Sequence, residues 1–83
     1  MSENPNKIDY FLDITADVCP LTFVKTKLLI ERMSKGQVAE IRLPIGEPLE
    51  NVPRSVEEHG HTLLVLEADP GDADVYVMRL RKA

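Results

Sequence analysis

The sequence predicts an α+β domain: a two-layer α/β sandwich of order β-α-β-α-β-β, with a mixed four-stranded sheet and both helices on one face. Three observations carry that prediction. Extended and helical apolar patterns alternate along the chain, which favours parallel pairing with right-handed crossovers in the first two β-α-β steps. The last two extended runs are joined by the short turn Asp69-Pro70-Gly71-Asp72, which makes a hairpin. The chain has 83 residues, enough for one domain with a thin core.

Residues 1–7 are polar and interrupted by Pro5, so they read as a disordered N-terminal tail, leaving residues 8–83 as a single domain. Tyr10 to Thr15 reads as a strand, with Leu12 and Ile14 on one face. Pro20 to Ser34 reads as a helix. It has no internal glycine, and Gly36 ends it. Val38 to Leu43 alternates strictly, Ile41 and Leu43 pointing one way and Glu40 and Arg42 the other. Pro44, Gly46 and Pro48 make a loop.

A second helix carries Leu49, Val52 and Val56 at helical spacing. Pro53 places its regular start nearby, with Asn51 as cap, and Gly60 ends it. Thr62 to Ala68 is an apolar strand. The turn after it has Pro and Gly where a type II turn wants them. Val75 to Arg81 is the last strand, with Tyr76, Met78 and Leu80 on one face and Val77, Arg79 and Arg81 on the other.

Composition excludes several classes of function. A net charge of −4 argues against direct nucleic-acid binding, which needs a basic footprint. No apolar run is long enough for membrane insertion, and the N-terminus lacks a signal-peptide core. A single cysteine excludes a disulfide scaffold and fits the reducing cytoplasm. His59 and His61 flank Gly60 without further ligands at metal spacing, so no metal is implied; His59 instead suits the C-terminal end of a helix dipole. Asp69, Asp72 and Asp74 lack the spacing of a calcium loop and read as a solvated turn.

The chemistry concentrates at Cys19. Pro20 follows it at once, and proline is favoured in the first helical turn, where its missing N–H costs nothing. Cys19 therefore falls at or beside the N-cap, where free N–H groups and the positive dipole end favour a thiolate. A lone thiol so placed can act as nucleophile or carrier. The opposing reading is an inert buried cysteine.

The helix behind Cys19 carries two apolar stripes. At about 100° per residue, Phe23, Thr26, Leu29, Ile30 and Met33 share one side, and Leu21, Val24 and Leu28 share the opposite side. Only one stripe can face the sheet. The first is predicted as core. The second, with Lys25 and Lys27 as its rim, is predicted as an exposed partner-docking face. A dimer contact or a reversed choice of stripe would account for the same pattern, and the two lysines also suit an ordinary solvated face.

Cys19-Pro20, the lysines behind it and the order of elements resemble the TusA/SirA family of small sulfur-carrier proteins, over about Phe11 to Lys82. The family motif is Cys-Pro-x-Pro, preceded by Leu-Asp on the first strand and followed by a basic residue on the helix. Leu12-Asp13, Cys19-Pro20 and Lys27 match those elements. Thr22 replaces the second proline, Val18 stands where arginine is common, and Ala16 where glycine is common. With no basic neighbour at position 18, the helix terminus carries more of the anion stabilisation. The Thr22 hydroxyl is predicted to reach back to free N–H groups at the helix start.

The resemblance implies that Cys19 accepts sulfane sulfur as a persulfide and relays it to an acceptor protein, as a sulfurtransferase rather than an enzyme acting on small molecules. It implies a donor such as a cysteine desulfurase or rhodanese-like protein, and no cofactor. A monomer is expected. The rival readings are a non-catalytic binding or regulatory module acting through Leu21, Val24 and Leu28, and an RNA-binding domain suggested by the fold alone.

Overall fold

The computed structural model describes residues 8–18 and 21–83. Its elements are β1 (Tyr10–Asp13), α1 (Leu21–Arg32), β2 (Val38–Pro44), α2 (Glu47–Glu58), β3 (Thr62–Asp69) and β4 (Asp72–Arg81). This is the α+β architecture that the sequence predicts, with a mixed four-stranded sheet. The proposed tail, residues 1–7, lies outside the described residues.

The strand order is β1-β2-β4-β3. β1 pairs parallel with β2, and β4 pairs antiparallel with both β2 and β3. Parallel pairing in both β-α-β steps is therefore corrected: β4 lies between β2 and β3. The hairpin strand folds back into the gap beneath α2 and gains a ladder on each side. That makes β4 central, which is why Met78 and Leu80 are fully buried, and it leaves β3 as an edge.

Alternation along the strands sorts the two faces of the sheet. Ala39, Ile41 and Leu43 of β2 join Met78 and Leu80 of β4 under Val52 and Val56 of α2 and Met33 just past α1. Ile14 completes this core, and Leu12, Leu29, Ile30 and Leu49 pack against it. Both helices thus cover one face. On the other, Glu40 is the register partner of Arg79 and pairs with it at 2.9 Å. Arg42 bridges Asp69 at 2.7 Å and Asp13 at 3.6 Å. Such part-exposed pairs add little stability, but they keep that face polar.

Several boundaries differ from the sequence prediction. β1 ends at Asp13, not Thr15, because Asp13 Oδ1 accepts the Thr15 backbone N–H at 2.9 Å and its hydroxyl at 2.6 Å, turning the chain. Ile14 still donates its N–H to the Arg42 carbonyl at 3.1 Å and stays buried. α1 ends at Arg32, two residues early, and Gly36 follows at φ 87°. α2 begins at Glu47, with Gly46 as its N-cap, so the start near Pro53 and the Asn51 cap are both corrected. Pro48 occupies the first turn, and Glu47 and Glu50 favour the positive dipole end there. Pro53 is accepted inside the helix and is buried. β4 starts at Asp72 rather than Val75. The β3–β4 turn is not type II, because Gly71 does not have the positive φ that type II requires. Asp69 Oδ1 instead accepts the Gly71 N–H at 2.7 Å, an Asx turn.

Candidate functional site

The candidate site is the entry to α1. Cys19 and Pro20 lie outside the described residues, so the structure defines the frame on either side of them. Upstream, Ile14 is anchored in the core, and Asp17 donates its N–H to the Ile14 carbonyl at 3.1 Å. Asp17 also holds the Lys25 ammonium at 2.8 Å across the first turns of α1. Downstream, Leu21 donates its N–H to the Val18 carbonyl at 2.8 Å, spanning the two intervening residues. Val18, the residue before Cys19, is 70% exposed.

The orientation of α1 follows from which stripe the sheet takes. Thr22, Thr26 and Met33 are buried, and Leu29 and Ile30 are half-buried. Thr22, Thr26, Leu29 and Met33 stand at i, i+4, i+7 and i+11, so they share one narrow face. The core stripe is therefore rotated from the predicted one. Phe23, predicted as core, lies about 100° from Thr22 and is exposed. Leu21, Val24 and Leu28 are exposed on the outer side, with Leu28 at 53%. Lys25 and Lys27 flank this row on opposite sides. Lys25 is engaged by Asp17, whereas Lys27 has no ion pair among the described residues.

The role predicted for Thr22 is corrected. Its side chain is fully buried, and its hydroxyl has no hydrogen-bond partner among the described residues. It is the second residue of α1 and lies on the buried side of the helix with Thr26. Its carbonyl accepts the Thr26 hydroxyl at 2.8 Å.

Sequence reasoning missed a cleft between α1 and α2. Phe23, Ile30, Val52 and Val56 line a space of about 180 Å³, with Lys27, His59 and His61 at its rim. The four-residue spacing of Phe23 and Lys27 was the available signal, hidden by assigning Phe23 to the core. His59 Nδ1 lies 2.7 Å from the Ser55 carbonyl, so it serves the last turn of α2. His61 Nδ1 accepts the Ala83 N–H at 3.1 Å. Burial, then the charges of Lys82 and His59, hold His61 below the usual imidazole range. Asp13 is held below the usual carboxylate range, chiefly by the Thr15 hydroxyl and N–H and also by Arg42. Among the described residues, no cluster of three or more His, Cys, Asp or Glu side chains is placed to hold a metal, and no helix is long and apolar enough to cross a membrane.

The chain is similar to several known proteins. The family profile described as sulfurtransferase TusA matches residues 10–82. A candidate sulfur carrier protein of Archaeoglobus fulgidus is 43% identical over 56 residues, covering 68% of this chain and 64% of that protein. A candidate sulfur carrier of Thermotoga maritima is 30% identical over 80% of this chain and 85% of its own. The Escherichia coli protein YedF, also named a candidate sulfur carrier, is 30% identical over 74% of this chain and 79% of its own. The crystal structure of a SirA-like protein from Desulfitobacterium hafniense superposes with a TM-score of 0.70 at 20% identity, covering 87% of this chain and 95% of that one, and so shares the fold. With the profile spanning nearly every described element, the chain belongs to the sulfurtransferase TusA family.

Proposed function

We propose that this protein is a sulfur carrier that takes up sulfane sulfur as a persulfide on Cys19 and relays it to an acceptor protein. The Cys19 thiolate attacks the outer sulfur of a donor persulfide. A new S–S bond forms on Cys19, the donor's S–S bond breaks, and the donor leaves as a thiolate. The acceptor's thiolate then attacks the outer sulfur of the Cys19 persulfide, and Cys19 is released as thiolate. Each step is thiol–disulfide exchange in form, and its rate depends on thiolate fraction and access. Family membership supports this reading, together with the place of the lone cysteine immediately before an exposed helix face.

The donor proposed is a cysteine desulfurase or a rhodanese-like protein, and the compartment proposed is the cytoplasm. Leu21, Val24 and Leu28 form the apolar centre of the docking face, with Lys25 and Lys27 on its flanks. Pro20 is proposed to favour the helix start, as its residue type does. No cofactor enters the scheme.

Incubation with a sulfane-sulfur donor followed by intact mass measurement tests the proposal. The protein is expected to gain the mass of one sulfur atom, lost on reduction and absent from Cys19→Ser. A thiol that stays unreactive until denaturation overturns it. The exposed row also suits a binding module with an incidental cysteine. In that case Cys19→Ser keeps full partner binding and full activity in the pathway served.

A further inference from the structure

β3 is the sheet edge opposite β1, the strand that leads toward Cys19. β4 occupies its inner side, and its outer side has no strand neighbour among the described residues. Leu64 and Leu66 of β3 are 38% and 40% exposed. Beside this edge, α2 and β3 enclose a shallow groove floored by Leu49, Pro53, Leu63 and Leu66. Glu50, Glu57, Glu58 and Arg54 form its rim. None of the three glutamates is in an ion pair among the described residues.

The acidic rim runs against the helix's own preference. Glu57 and Glu58 end α2, whose last turn has no basic residue, although negative charge is unfavourable at that end of a helix dipole. α1 carries the opposite bias, with Lys25, Lys27 and Arg32 against Glu31.

We propose that the α2–β3 groove docks an extended, basic segment of a partner protein. The segment adds as a fifth strand along Val65 to Ala68, the stretch where the ladder of β3 with β4 is regular. An open strand edge supplies main-chain hydrogen bonds to such a segment, and a helix-lined groove receives its alternate side chains. One apolar side chain rests on Leu63 and Leu66, while lysine or arginine meets Glu50, Glu57 and Glu58. A second copy of this chain is disfavoured as occupant, because it would set these glutamates against its own in a molecule of net charge −4. The dock does not involve Cys19, so it can hold a partner whether or not sulfur is bound.

The test uses the full chain and a short fluorescent peptide in which lysine and valine alternate at every second position, with threonine between them, so that one strand face presents both. Saturable binding is expected, with amide chemical-shift changes confined to β3 and α2. Glu57→Lys combined with Glu58→Lys should weaken binding about tenfold or more, since it replaces attraction by repulsion. That variant should melt no lower than the parent, so lost binding would not reflect unfolding. N-methylating alternate peptide amides should abolish binding, and Cys19→Ser should not change it. Any of four results overturns the proposal: no saturable binding, shifts mapping to α1 or the open sheet face, affinity indifferent to the charge reversal or to N-methylation, or concentration-dependent self-association through β3 in place of peptide binding.

Discussion

Lys25 Nζ lies 2.8 Å from Asp17 Oδ2, so α1 itself grips the segment that leads into Cys19. The pair is part-exposed and adds little to global stability, but it ties the loop to α1 beside the backbone bonds of Asp17 to Ile14 and of Leu21 to Val18.

Asp17→Asn should therefore lower stability by less than about 1 kcal/mol. Sulfur loading on Cys19 should slow more than that loss explains. Lys25→Met should have the same effect, and the double variant should be no slower than either alone. Urea melts alongside single-turnover loading would show this. Additive slowing would mean that the two residues act separately.

The Thr22 hydroxyl, unpartnered among the described residues, predicts a stabilising substitution. A buried hydroxyl without a partner carries a desolvation cost of about 1–3 kcal/mol. Thr22→Val keeps the β-branched shape and removes the polar atom. It should raise stability by about 1 kcal/mol in chemical denaturation. Thr22→Ala should lower stability, because it leaves a cavity beside the sheet.

The two sides of α1 should separate stability from transfer. Met33→Ala empties a core position and should cost about 2–5 kcal/mol. Leu28→Ala removes an exposed side chain and should change stability by less than about 0.5 kcal/mol. Leu28→Ala, and Val24→Ala with it, should slow sulfur transfer between proteins. Lys27→Ala should act mainly on the association rate and its salt dependence. Stopped-flow transfer at two ionic strengths would measure both effects.

Acid should destabilise the fold in two windows. His61 binds its proton less readily folded than unfolded, so its contribution is complete above the ordinary imidazole value and is lost as pH falls through the lower folded value. Protonation at Nδ1 also ends the bond from the Ala83 N–H. Asp13 behaves alike at lower pH: its contribution is present above the ordinary carboxylate value and lost as the carboxylate protonates. His61→Gln should remove the first window and leave the second. Melting temperature followed from pH 8 downward would resolve them.

The sequence by itself determined the order of elements, the buried alternation of Ala39, Ile41 and Leu43, the inward face of Val52 and Val56, and the position of the lone cysteine before a helix. These are local properties. Strand period, helix period and proline chemistry act within a few residues and need no knowledge of the rest of the chain. The outward stripe of Leu21, Val24 and Leu28 was legible for the same reason.

Tertiary structure alone decided what depends on neighbours distant in sequence. Alternation in β4 gives its faces but not its place, and insertion between β2 and β3 reflects the ladders available on both sides. α1 offered several apolar rotations, and the fold took the one that buries Thr22, Thr26 and Met33, half-buries Leu29 and Ile30 and leaves Phe23 exposed. The cleft beside Phe23 and the groove on β3 follow from those two choices. Each joins residues whose contact exists only after the sheet has assembled.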